Sequence, residues 1–162
     1  MSDLKLGEAI EGVIIEALMD GMVMELETIE LDENDGVLLP APRNDSYYDY
    51  PVKPPLPVYP AVIVLADGAG SDEPADSAGT WEVKQRVFIT MVCGDRDQSI
   101  LHKKCKRYLL AAFKTILASQ KLPENGYTLI APWNIEYMPQ MTTPGGFTED
   151  GSLEITIDSL EG

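Results

Sequence analysis

Residues 81–93 read Trp81-Glu82-Val83-Lys84-Gln85-Arg86-Val87-Phe88-Ile89-Thr90-Met91-Val92-Cys93, and the turn Gly94-Asp95-Arg96-Asp97 follows. Alternation puts Trp81, Val83, Val87, Ile89, Met91 and Cys93 on one face of a strand, with Lys84, Arg86 and Thr90 opposite. Phe88 and Val92 on that second face predict partial cover there too. From Gln98 to about Ser119 the period changes. Leu101, Cys105, Tyr108, Leu109, Ala112, Phe113, Ile116 and Leu117 recur at helical spacing and form one apolar stripe. Asp97 is the expected N-cap, Lys121 falls at the favourable C-terminal end, and Pro123-Glu124-Asn125-Gly126 ends the helix. A strand feeding a helix fixes a mixed α and β core.

The rest of the chain arranges itself around that unit. Tyr59 to Leu65 reads as a buried strand, and Ala66 to Gly79 as a small acidic loop that makes an antiparallel hairpin with the 81–93 strand. Two more strands are predicted. One runs from Tyr127 to Met138, interrupted at Pro132; the other runs from Ser152 to Leu160, with Leu153, Ile155 and Ile157 facing the core. Pro139 to Gly151, carrying Pro144-Gly145-Gly146, is expected to be a long hairpin tip.

Upstream, Leu6, Ile10, Val13, Ile14, Ala17, Leu18 and Met22 follow helical spacing from Leu4 to about Leu26, with Ser2 or Asp3 as the cap. Gly7, Gly12 and Gly21 weaken this helix, and a break is expected near Gly21, with a short strand in Met22–Glu30. Asp32-Glu33-Asn34-Asp35-Gly36 signals a turn. Beyond it Pro40, Pro42, Pro51, Pro54, Pro55, Pro57 and Pro60 predict an extended strap, with tyrosines at 47, 48 and 50. The strap either contacts another protein or packs on its own domain. The predicted fold is α+β, a single domain over 1–162. An antiparallel (mixed) four-stranded sheet packs against two main helices in the order α-β-β-α-β-β. Residues 1–31 hold the N-terminal helix and short strand, 32–58 the Pro/Tyr-rich strap and 59–160 the β-β-α-β-β core.

Composition narrows the function. At 162 residues with 44% hydrophobic content the chain can bury a core. No apolar run approaches the roughly 18–20 residues of a membrane span. Met1-Ser2-Asp3-Leu4-Lys5 lacks the basic n-region of a signal peptide, so a cytoplasmic setting is expected. The net charge of −15 works against nonspecific nucleic-acid binding. It is unevenly spread. Before residue 36 the carboxylates from Asp3 to Asp35 face only Lys5, whereas Arg96, Lys103, Lys104, Lys106, Arg107, Lys114 and Lys121 face only Asp97. One acidic and one basic face suit head-to-side pairing of copies; two separately solvated faces are the alternative.

Catalytic and metal chemistry finds little support. Asp67-Gly68-Ala69-Gly70-Ser71-Asp72-Glu73 puts glycine and alanine where a calcium loop needs oxygens, and it lacks the lysine of a phosphate loop. His102, the only histidine, reads as a solvated helix residue. Cys93 and Cys105 read as buried free thiols, too few with one histidine for tetrahedral zinc. Asn44-Asp45-Ser46 matches a glycosylation acceptor, which has no meaning without secretion. Trp81, Trp133 and the tyrosine cluster are not interleaved with Lys or Arg as single-strand binders require. Neither an enzyme nor a cofactor is expected.

The N-terminal helix, Pro60-Ala61-Val62-Ile63-Val64, the strand Val87-Phe88-Ile89-Thr90-Met91-Val92, the helix Asp97–Leu117 and Gly151-Ser152-Leu153-Glu154-Ile155-Thr156-Ile157 form a layout. It resembles the tail terminator (tail completion) proteins of tailed bacteriophages, the minor tail protein U-like or head-to-tail joining family. The resemblance covers nearly the whole chain and carries no invariant motif; the strap at 40–58 is a local elaboration. It implies a structural virion protein, not an enzyme, made in the host cytoplasm and carried in the tail or neck. It implies a hexameric ring at the head-proximal end of the tail that ends tail-tube polymerisation and joins tail to head. The partners implied are further copies, the tail tube protein and the connector or neck proteins, with DNA passing through an acidic lumen unbound and no membrane involved.

On that basis the subunit interface is expected to set Arg96, Lys103, Lys106 and Arg107 against Glu27, Glu30 and Asp32 of a neighbour. Partner contacts are expected at Tyr47, Tyr48, Tyr50, Asp72, Glu73, Phe147 and Glu149. Two other classes stay open: a neck or head-completion adaptor, and a free acidic regulatory protein that mimics DNA.

Overall fold

The computed structural model describes residues 8–70 and 81–161. Helix α1 spans Glu8–Glu33, and a 3-10 turn at Asn44–Ser46 leads into β1, Tyr47–Tyr48. Strands β2 (Ala61–Gly70) and β3 (Trp81–Asp95) precede helix α2 (Gln98–Ala118) and the single-turn α3 (Lys121–Glu124). Strands β4 (Tyr127–Tyr137), β5 (Met141–Thr143) and β6 (Gly146–Glu161) complete the chain. The α+β class is as the sequence implies. The sheet has six strands rather than four, in the order β1-β2-β3-β6-β4 with β5 against the start of β6. The pair β1–β2 is parallel and the other pairs are antiparallel. The two added strands are two and three residues long, too short to carry a readable alternation.

Both long helices cover one face of the sheet. Ile10, Ile14, Leu18, Met22 and Leu26 of α1 share a core with Leu101, Cys105, Leu109 and Ile116 of α2 and with Val62, Val87, Ile89, Met91, Leu153, Ile155 and Ile157 of the strands. Each such aliphatic side chain contributes about 1.5–3 kcal/mol when fully buried. On the opposite face Ala61, Ile63 and Val92 lie beneath Tyr48, Val52, Leu56 and Tyr59 of the strap. The partial cover expected at Val92 is supplied by this chain's own tyrosines with Val52 and Leu56.

Three sequence expectations need correction. The first helix does not break at Gly21, and no strand occupies Met22–Glu30. Gly21 is the crossing point of the helices: a Cβ there would lie 2.6 Å from Thr115 Cγ2. Helical burial continues through Leu26 and Ile29. The turn at Asn34, with φ 46°, and Gly36, with φ 79°, then ends it. The second correction concerns 139–151, where β6 begins at Gly146 and not after the glycines. Gly151 lies mid-strand beneath α2, where a Cβ would meet Leu109 Cδ1 at 2.6 Å and Cys105 Sγ at 2.9 Å. The third is Lys121, which opens α3 and pairs with Asp20 at 3.2 Å rather than ending α2. The caps proposed at Ser2 or Asp3, and most of the acidic loop at 66–79, lie outside the described residues; β2 itself runs on to Gly70.

Candidate functional site: the charged faces of the helix layer

Helix α2 starts where the sequence places it. Asp97 Oδ1 accepts hydrogen bonds from the Ser99 and Ile100 amides, at 2.9 and 3.2 Å, and from the Ser99 hydroxyl at 2.8 Å. The serine hydroxyl and these amides hold the Asp97 carboxyl below its usual range. One turn earlier, Lys104 Nζ meets Asp95 Oδ2 at 2.7 Å. Burial opposes ionisation of Asp95, but the lysine and the Asp97 amide outweigh it and its pKa is lowered. The turn Gly94–Asp97 is thereby locked, and the basic face of α2 has a defined direction.

That face divides into spent and free cations. Arg107 donates to both carboxylate oxygens of Asp35, at 3.0 and 2.6 Å, and lies 3.5 Å from Glu33. This forked contact, helped by the Val37 amide, pulls the Asp35 pKa down to about 2. Glu30 accepts the Leu39 amide and pins the start of the strap. Arg107 and Glu30, both expected at a subunit interface, are therefore committed within the chain. Lys103, Lys106, Lys114 and Arg96 are exposed and form no ion pair with a described residue. Glu27 and Asp32 on α1 are exposed and likewise unpaired among the described residues.

The exposed faces also carry apolar side chains. On α1 Met24 is 72% and Leu31 79% exposed; on α2 Leu110 is 44% and Leu117 61% exposed. Leu117, assigned to the buried stripe by its spacing, therefore faces outward. At about 100° per residue, Lys103, Lys106, Leu110, Lys114 and Leu117 fall within one narrow strip of α2. Asp20, Met24, Glu27 and Leu31 form the matching strip of α1, opposite its buried residues.

The expected partner contacts fare differently. Tyr47 is half-buried, its hydroxyl 3.9 Å from Met22 Sδ, and burial pushes its pKa up to about 12. Tyr48 packs over Ala61, Ile63 and Val92 and meets Tyr50 edge-on at 5.5 Å; Tyr50 is exposed. The Tyr108 hydroxyl donates to the Pro40 carbonyl at 2.6 Å, so the strap is tied to its own domain. Phe147 packs against the core and lines an open cleft with Leu56, Tyr59 and Arg96. Glu149 is buried, which removes it from any partner-facing tip. Asp72 and Glu73 lie outside the described residues.

Sequence reasoning missed what Glu149 does. Its carboxylate takes His102 Nδ1 at 2.9 Å and Gln140 Nε2 at 3.1 Å, so His102 is not merely solvated. Cys93 and Cys105 are buried free thiols, as expected. A hydrogen bond with Cys93 and burial raise the Cys105 pKa, so this thiol is a core group. Partners 47 residues apart, as His102 and Glu149 are, leave no local signal. Among the described residues no group of three or more His, Cys, Asp or Glu is arranged to hold a metal ion. No helix among them is long and apolar enough to cross a membrane. No protein-family model matches this chain, and comparison with curated proteins finds no match.

Proposed function

We propose that this chain is a structural virion protein of a tailed bacteriophage: a hexameric ring at the head-proximal end of the tail that ends tube polymerisation and joins tail to head. The observation that carries this reading is the set of free cations Arg96, Lys103 and Lys106 in a chain of net charge −15. None of them forms an ion pair with a carboxylate among the described residues, while Glu27 and Asp32 are exposed and unpaired on the neighbouring helix. A contact between unlike faces of successive copies generates a ring when its rotation closes. The mechanism is steric and electrostatic. Tail tube and connector proteins are the remaining partners, and excess negative charge in the lumen keeps DNA from adhering.

Electron micrographs of particles assembled without this chain test the reading. Overlong tails unattached to heads are expected; tails of normal length joined to heads would overturn it.

A further inference from the structure

We propose that the free protein closes on itself as a two-fold dimer, helix layer against helix layer, which hides the charged faces until they are needed for assembly. The dimer is a regulation of the self-association site described above and rests on that reading only for its biological purpose.

The direction of the helices sets how two copies can meet. Lys121, just beyond the end of α2, sits on Asp20 near the middle of α1, whereas Arg107, at the middle of α2, sits on Glu33 at the end of α1. The two helices therefore run antiparallel within one chain, side by side on one face of the sheet. Their outward strips point away from that sheet. A two-fold axis along the helices then lays α1 of each copy antiparallel on α2 of the other, and both contacts form at once.

In that orientation the strips correspond. Glu27 faces Lys106 and Met24 faces Leu110, while Lys114 approaches Asp20, whose carboxylate Lys121 of its own chain already holds at 3.2 Å. The intervals agree: seven residues on α1 span about 10.5 Å and eight on α2 about 12 Å, a difference within side-chain reach. Leu31 lies along the stem of Lys103 at one end. An apolar pair flanked on both sides by opposite charges specifies a register, because sliding one helix by a turn sets lysine on Leu31 or Met24 and a carboxylate on Leu110. The occupant is a second copy because its strip carries the complement of both sign and spacing. The footprint is roughly 20 Å by 20 Å, below the ~800 Å² per partner of a standard stable interface. The dimer is therefore weak and concentration-dependent, as a reversible cover should be.

The test is a double variant, Met24→Cys with Leu110→Cys, oxidised with copper phenanthroline near neutral pH. The native thiols are buried, so only the introduced cysteines report. A two-fold contact brings Met24→Cys of each copy against Leu110→Cys of the other twice over, so cross-linking stops at dimer. A ladder beyond dimer would mean a head-to-tail contact; it would overturn the two-fold arrangement while leaving the ring reading intact. Folded protein that stays monomeric on the gel would overturn the proposal as well. In parallel, Lys106→Glu should weaken dimerisation in sedimentation at least tenfold, and Glu27→Lys added to it should restore most of the loss. Failure of that rescue counts against the register. Micrographs of particles lacking the chain judge the ring separately, and dimers with unaffected tails would leave this inference standing alone.

Discussion

Gly12 and Gly21 sit in the same helix and have opposite roles. A Cβ at Gly12 meets nothing within 4 Å, so Gly12→Ala removes a helix-weakening residue and should stabilise the fold by up to about 1 kcal/mol. At Gly21 the added carbon would strike Thr115, whose hydroxyl is fixed to the Ala111 carbonyl at 2.7 Å and whose rotamer cannot swing aside freely. Gly21→Ala should cost about 1–3 kcal/mol, as overpacked contacts do. Urea unfolding of the two variants checks the difference in sign. Asp35 offers a second test at this scale. Its pKa is depressed from 3.8 to about 2 in the folded chain, chiefly by Arg107. A depressed carboxyl contributes stability that is present above its unfolded pKa and is lost as pH falls through the folded one. The urea midpoint should therefore drop between about pH 4 and pH 2, and Asp35→Asn should remove that part of the slope.

At the scale of elements, α2 depends on a cap that can be removed alone. Asp97→Ala leaves the Ser99 and Ile100 amides without their acceptor and should cost about 1 kcal/mol, seen as a lower unfolding midpoint with helix content retained. That cap was legible because it is local: an acid, a turn and an apolar period within one stretch of chain. The same locality made β3, the body of α2, and β4 with its interruption readable, the last seen as a register shift between Ile130 and Asn134. What was illegible depends on what comes near in space. Gly21 and Gly151 look like breakers until Thr115, Leu109 and Cys105 are set over them. The insertion of β6 between β3 and β4 is a choice among pairings that alternation alone does not rank. For the candidate site the free lysines were legible as charge. The loss of Arg107 to Asp35, 72 residues away, and of Glu30 to the Leu39 amide was not.

For the whole molecule the governing quantity is the net charge of −15, which opposes both folding and association through self-repulsion. Salt separates the two contributions by range. The Debye length falls from about 30 Å at 0.01 M to about 8 Å at 0.15 M, so repulsion across the molecule is screened first. The melting temperature should therefore rise over that interval. Association has a second limb. Two acidic monomers repel at low salt, whereas the proposed Glu27–Lys106 pair would act at a few ångströms and persist until the ionic strength is far higher. The dimer fraction measured by sedimentation at fixed protein concentration should pass through a maximum at roughly 0.1–0.3 M salt, where the Debye length is about 6–10 Å, and decline toward 1 M. Lys106→Glu should flatten the descending limb and leave the rise in melting temperature in place, because folding responds to the total charge while pairing responds to a few residues on two helices.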